Sequence, residues 1–318
     1  MNAFLNIILF LIILFFYIHI THQLKKSEDL EIYEMDYSSN THLQEVCEIK
    51  QPVLFEYKSV NPEFFENINI DSLNIGSNDL KIKEIHDYWK NDDSVDYVVL
   101  PFQSANTLIS SDTQSNYFSE NNDDFIEETG LIKEYQYNDT FLKPTACLQT
   151  KYDILMGSKS VTTPLRYHTC YRQYLSVNSG KIHVKMTPWR STKYLYPIYD
   201  YENYEFRSPI NVWNPQKKYR HEMDKIKFLE FDVLEGYVLY VPPYWWCSIK
   251  YSEEPTILTG FTYNSVMNCV ANIPNWGLYF LQQHNIKKRI TKTIDLSGQV
   301  SAEDVIVHDN EEDDVNNK

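Results

Sequence analysis

Glycine is scarce in this sequence, with 8 residues among 318, and alanine is scarce too. A helical bundle draws on alanine and other strong helix formers, so this poverty argues against one. Cysteine is sparse as well: Cys47, Cys147, Cys170, Cys247 and Cys269 are odd in number and none falls in a C-x-x-C pair. That excludes a disulfide framework and a zinc site of familiar spacing, and leaves free thiols in a reducing compartment as the expectation. Positive charge is also in deficit, with 29 Lys and Arg against 44 Asp and Glu and a formal net charge of −15. Such a surface repels nucleic acid, so no nucleic-acid partner is expected. Much of the acid sits in SEDLEIYEMD (27–36) and in the tail EDVIVHDNEEDD, where a solvated, partly disordered chain accounts for it. No internal repeat is found.

Aromatic residues, by contrast, are plentiful: 25 Tyr, 16 Phe and 6 Trp. Flat and β-branched side chains suit a pleated sheet, so a mainly β fold is expected. An AT-rich genome, such as that of a large DNA virus, would enrich Tyr, Asn, Ile and Lys in the same way. Hydrophobic residues at 43% and charged ones at 23% are ordinary for a globular chain, and the length suffices to bury a core unaided.

One apolar run stands apart. AFLNIILFLIILFFYIHI (3–20) carries no charge, and about 20 such residues span a bilayer as a helix. A cleaved signal peptide would show a basic leader and a small-residue cleavage site. Neither is present, so residues 1–26 are expected to form an uncleaved single-pass anchor. Lys25 and Lys26 follow the run and place the larger part on the cytoplasmic side by the positive-inside rule.

Residues 27–44 read as an acidic linker, 45–290 as one domain and 291–318 as an acidic disordered tail. Within the domain, QPVLFEY (51–57) and DYVVLPF (96–102) predict strands, LKIKEIHDYWK (80–90) has near-helical spacing, and SSDTQSNYFSENNDD (110–124) reads as a polar surface loop. KIHVKMT (181–187) alternates strictly, and FLEFDVLEGYVLYVPPYWWCSIKY (228–251) predicts two strands joined at Glu235-Gly236. Trp245 and Trp246, adjacent on a strand, should face opposite sides of the sheet. Residues 264–290 turn helical, interrupted at Pro274 and ending on the basic Lys287-Lys288-Arg289.

TPLRYHTCYRQYLSVNSGK (163–181) followed by LEGYVLYVPPYWWCSI (234–249) resembles the JmjC/cupin-like 2-oxoglutarate oxygenases, in particular the asparaginyl-hydroxylase branch. YPIYDYENYEFRSPINVW (196–213) resembles that branch's substrate-side insertion. The resemblance covers about 45–285 and implies a double-stranded β-helix, that is, a jelly roll with flanking helices. It also implies a ferrous ion held by two histidines and a carboxylate, with 2-oxoglutarate beside it. In this sequence those three ligand positions fall on Arg166, His168 and Cys247. A guanidinium stays protonated and has five donors and no acceptor, so Arg166 cannot ligate iron. No metal or cofactor is therefore expected, and a noncatalytic binding or structural module is favoured over an active hydroxylase with unconventional ligands. Thr163 and Lys181, which stands fifteen residues after Arg166, match the family's 2-oxoglutarate contacts.

Two readings of the altered pocket stay open. Arg166, Lys181, Thr163 and Arg172 could clamp a small carboxylate or an acidic peptide; alternatively, Arg166 pairs with a local acid such as Glu205 or Asp232 and plugs the barrel. His168 and Cys247, if close, could form a reactive thiol pair or half of a zinc site, with His183 as a third member. A homodimer through the helical region 264–290 is a further reading.

Overall fold

The computed structural model describes residues 3–74, 78–90, 94–252 and 256–284. The expected tail 291–318 and the basic triplet at 287–289 lie outside these. Strands in chain order are β1 (Tyr33–Met35), β2 (Val53–Glu56), β3 (Asp79–Glu84), β4 (Val98–Pro101), β5 (Tyr117–Ser119), β6 (Cys147–Gly157), β7 (Arg166–Tyr167) and β8 (Arg172–Ser179). They continue with β9 (Lys181–Thr187), β10 (Ile198–Asp200), β11 (Glu205–Arg207), β12 (Leu229–Leu234), β13 (Tyr237–Val241), β14 (Trp246–Tyr251) and β15 (Ile257–Ser265). Among the described residues they make two sheets, ordered β1-β2-β13-β8-β15-β6-β5-β3-β4 and β10-β11-β7-β14-β9-β12.

Alternation along each strand sorts side chains into three cores. Leu155, Leu175 and Leu239 of the larger sheet meet Ile182, Val184 and Ile249 of the smaller one, filling the space between them. The opposite face of the larger sheet packs Tyr174, Tyr240 and Phe261 against helices that carry Leu43, Phe64 and Tyr135. The outer face of the smaller sheet holds Tyr167, Phe206, Tyr244 and Trp246. Trp245 and Trp246 do part to opposite faces, their indole N–H groups donating to Lys50 O (3.1 Å) and Thr192 Oγ1 (2.8 Å).

Several local expectations need correction. The stretch 80–90 is strand β3 followed by one helical turn, Asp87–Lys90. Leu80 and Ile82 alternate inward while the backbone pairs with β4 and β5, and ladder pairing outweighs a short helical spacing. The loop expected at 110–124 contains β5 and buries Phe118, Ser119 and Glu120. Residues 228–251 form three strands and no hairpin: β12 pairs with β9 in one sheet, and β13 pairs with β2 and β8 in the other. Gly236, at φ 89°, carries the chain between the sheets, in a backbone region that costs a side-chain-bearing residue more. The stretch 27–44 contributes β1, which adds parallel to β2, and the start of a helix, Asn40–Cys47, so it is built into the domain.

The N-terminal helix is Ala3–Leu24; its segment Phe4–Leu24 has a mean hydropathy of 2.5, long and apolar enough to cross a membrane. At the other end, Val266–Ala271 and Ile273–Gln283 are helical, and Pro274 sits in the first turn of the second, where it is tolerated because its missing N–H has no helical partner.

Candidate functional site

Two cross-strand pairings set the geometry of the site. In β14, Cys247, Ile249 and Tyr251 point between the sheets, while Trp246 points away. Cys247 is the direct neighbour of Arg166 on β7, and Arg166 is the direct neighbour of Arg207 on β11. Directly opposed residues share a face, so Arg166 and Arg207 both enter the space between the sheets, side by side.

Carboxylates meet them there. Arg166 forms a two-pronged pair with Glu120, with Nη1 2.7 Å from Oε1 and Nη2 on Oε2. Glu205 Oε1 lies 3.6 Å from Arg166 Nη1. Glu120 Oε1 also accepts from Lys83 Nζ at 3.0 Å, and both of these side chains are buried. Asp200 Oδ2 lies 3.9 Å from Arg207 Nη1, and the Arg207 guanidinium sits 5.4 Å from the Tyr88 ring centre. The result is a six-member cluster: three cations, Lys83, Arg166 and Arg207, against three carboxylates, Glu120, Asp200 and Glu205.

Mutual attraction keeps Lys83, Glu120 and Arg166 ionised. Burial alone would raise the Glu120 carboxyl, but the Arg166 guanidinium and the Lys83 ammonium outweigh it and hold it at about 2. Burial alone would lower Arg166 and Lys83; Glu120 reverses both, so each stays charged well beyond neutral pH. The loop behind Glu120 is itself pinned, since Asp153 accepts the backbone N–H groups of Asn121 (2.9 Å) and Asn122 (2.8 Å).

His168 is engaged elsewhere. Its Nδ1 accepts the Cys170 N–H (3.2 Å), so the proton belongs on Nε2, which donates to Val241 O (3.0 Å). Burial lowers this imidazole to about 4, leaving it neutral. With both ring nitrogens used, it forms no pair with Cys247, whose thiol burial pushes up to about 12. His183 lies on the outer face of β9 with Nδ1 2.6 Å from Asp232 Oδ1. Among the described residues, no group of three or more His, Cys, Asp or Glu is placed to hold a metal ion.

The expected carboxylate clamp is likewise not assembled. Ile182, Val184 and Met186 fill the interior, so Lys181 projects outward, where its Nζ meets Asp232 Oδ2 at 2.7 Å. Arg172 emerges on the helical side of the larger sheet, alternating with the inward Leu175 and Val177, and pairs with Glu48 at 2.5 Å above the Tyr171 ring. Thr163 is tied to β14: its Oγ1 accepts the Ile249 N–H (2.9 Å) and its carbonyl accepts Ser248 Oγ (2.6 Å). A surface cleft of about 520 Å³ bordered by Asp123, Glu127, Asp139 and Lys151 shares no residue with the Arg166 cluster.

The sequence offered Glu205 or Asp232 as an Arg166 partner; Glu205 lies beside it, Asp232 pairs instead with Lys181 and His183, and Glu120, Lys83, Arg207 and Asp200 were missed. The available signal was alternation: Leu80, Ile82 and Glu84 place Lys83 on a strand, and Tyr117-Phe118-Ser119-Glu120 continues another.

Two facing β-sheets with flanking helices and a side-chain-filled interior define a cupin-type β domain. The profile of the cupin-like domain family matches residues 24–269, and the chain belongs to that family. A search of curated proteins finds no match.

Proposed function

We propose that this chain is a membrane-tethered, noncatalytic cupin-like domain of the asparaginyl-hydroxylase-like branch, kept as a binding or structural module. The observation that carries the reading is the Arg166–Glu120 pair. At the position where the resemblance puts a ligating histidine stands a guanidinium, which offers no lone pair and repels a cation. The residues do not fit a ferrous ion: Cys247 is a protonated thiol beside that cation, and both nitrogens of His168 are committed to the backbone.

The cluster supports a structural role directly. Removing one partner of a buried, hydrogen-bonded pair strands the other in a low-dielectric interior, so the pairing locks β7, β3 and the segment after β5 together. The N-terminal helix supplies the tether, and Lys25 and Lys26 favour a cytoplasmic domain.

The test is metal analysis of full-length protein purified with and without oxygen, alongside turnover of 2-oxoglutarate. The expected result is sub-stoichiometric iron and no succinate above a protein-free control. Stoichiometric iron with succinate release overturns the proposal. Thermal-shift titration with 2-oxoglutarate and succinate in the absence of metal is expected to show no stabilisation, because Arg166 already holds a carboxylate.

A further inference from the structure

We infer that the C-terminal helix Ile273–Gln283 is a second membrane contact, lying in the headgroup region of the bilayer that the N-terminal helix crosses; this rests on reading that helix as a span. The N-terminal helix joins the domain at its last turn through fixed contacts and not through a loose tether. The Lys50 ammonium donates to the carbonyls of His22 (2.5 Å), Gln23 (3.1 Å) and Lys25 (3.0 Å). Those carbonyls lie in the last turn of the helix and just past it, where a cation suits the negative end of its dipole. Lys50 itself is held at φ 60° with its carbonyl on the Trp245 indole. One turn further, the Lys26 ammonium sits 3.5 Å from the Trp189 ring centre, and Glu28 Oε2 accepts the Arg190 N–H at 3.1 Å.

Packing extends this junction to the C-terminal helices. The N-terminal helix packs on Val266–Ala271, and its partly or fully covered residues His19, Ile20 and Gln23 lie in its last turns. The apolar segment Phe4–Leu24 has 21 residues; at 1.5 Å each it is about 31 Å long, against about 30 Å of hydrocarbon. No spare length separates domain from bilayer, so Val266–Ala271 sits at the boundary and Ile273–Gln283 continues from it.

One edge of that last helix is fixed to the domain. Trp276 stacks on Tyr204 at 5.0 Å, Tyr201 Oη donates to Asn275 Oδ1 at 3.3 Å, and Gln283 Nε2 donates to Glu202 O at 2.7 Å. Other positions leave Ile273, Leu278, Phe280 and Leu281 between 46% and 62% exposed, four large apolar side chains within eleven residues. An amphipathic helix with such an edge buries it about 5–10 Å into the acyl boundary. The sequence then supplies Lys287, Lys288 and Arg289, which suit anionic headgroups.

The test uses full-length protein in liposomes containing phosphatidylserine, with the photo-crosslinking residue p-benzoylphenylalanine placed singly at Phe280, at Phe10 in the N-terminal helix and at the exposed Tyr137 on the domain. Lipid adducts at position 280 are expected at a yield similar to position 10 and at least about fivefold above position 137. Adducts at 10 with none at 280, or a crosslinked dimer at 280, overturn the second contact while leaving the span intact. No lipid adduct at either 10 or 280 removes the span and this inference together, and adducts at 280 alone remove the span and with it the second contact as inferred.

Discussion

Replacing Glu120 with Gln removes one negative charge from a cluster that otherwise balances. The amide keeps the shape and one acceptor, but Lys83 loses its carboxylate partner and Arg166 keeps only Glu205, at 3.6 Å. Breaking a buried pair by removing one partner typically costs about 3–5 kcal/mol. The Glu120 carboxyl points the same way: Arg166 and Lys83 hold it well below the ordinary carboxylate range against the pull of burial, so the fold stabilises the charge that the amide lacks. For a domain of this size, each kcal/mol moves the melting temperature by about 2–4 °C, so a drop of about 10 °C is expected. The assay is thermal unfolding of the full-length protein in detergent, at low and high salt. Because the pair is shielded from solvent, the drop should persist at 0.5 M salt, roughly a 4 Å screening length. Adding Arg166→Met to Glu120→Gln should recover part of the loss, since the stranded guanidinium goes as well. A shift under about 2 °C for Glu120→Gln, or strictly additive losses in the double variant, would refute the reasoning.

Gly157→Ala should destabilise by about 1–3 kcal/mol, because the added methyl would stand 2.6 Å from the Tyr251 ring in a filled interior; chemical denaturation measures it, and an unchanged midpoint counts against the packing described. Cys170 and Cys247, both pushed up to about 12 by burial, should resist iodoacetamide at pH 8 in the native state and react in denaturant, as read by peptide mass spectrometry. Acid stability should show a compensation. His168, lowered to about 4 by burial, stabilises fully above 6.5 and loses that contribution as pH falls through 4. Asp153, raised to about 6 by burial despite its bonds from Asn122 and Asn121, contributes the opposite way, gaining as pH falls from 6 to 3.8. Wild-type stability should therefore stay nearly flat between pH 6 and 4.5, whereas Asp153→Asn should begin to lose stability from about pH 6.5. Equal pH profiles for the two proteins would show that one of these burial effects is absent.

What was legible in the sequence were features with a short period. Val53–Glu56, Val98–Pro101 and Lys181–Thr187 announce themselves by alternation and composition, and each is a strand. The Y-V-P-P-Y-W-W block carried the cupin likeness, and the chain belongs to that family. Less legible was anything decided by sheet assignment. Leu234 and Tyr237 flank one turn, yet the chain there leaves one sheet for the other, a tertiary choice that a two-strand pattern does not encode. Lys181 illustrates the same limit: its spacing of fifteen from Arg166 carried part of the resemblance, whereas its side of β9 follows from Ile182 and Val184 facing the interior. Glu120 was hidden by its neighbours, because a run of Asn, Asp and Ser reads as solvent-exposed whatever one buried member does.

The cluster also bears on what a ligating side chain at position 166 would do. Arg166→His supplies an imidazole at one position only, and it removes the partner that holds Glu120 ionised. Lys83 would then neutralise Glu120 alone, while Arg207 and Asp200 remain paired and Glu205 loses its nearest cation. Cys247 would still present a thiol, and His168 would still donate to Val241, turned to a backbone acceptor. Iron binding would need changes on β7, on β14 and after β5 at once, each destabilising before the others are in place. Arg166→His is therefore expected to lower the melting temperature without raising the iron content of the purified protein. A single substitution that brings in stoichiometric iron would mean that the interior is far more pliable than a six-charge lattice permits.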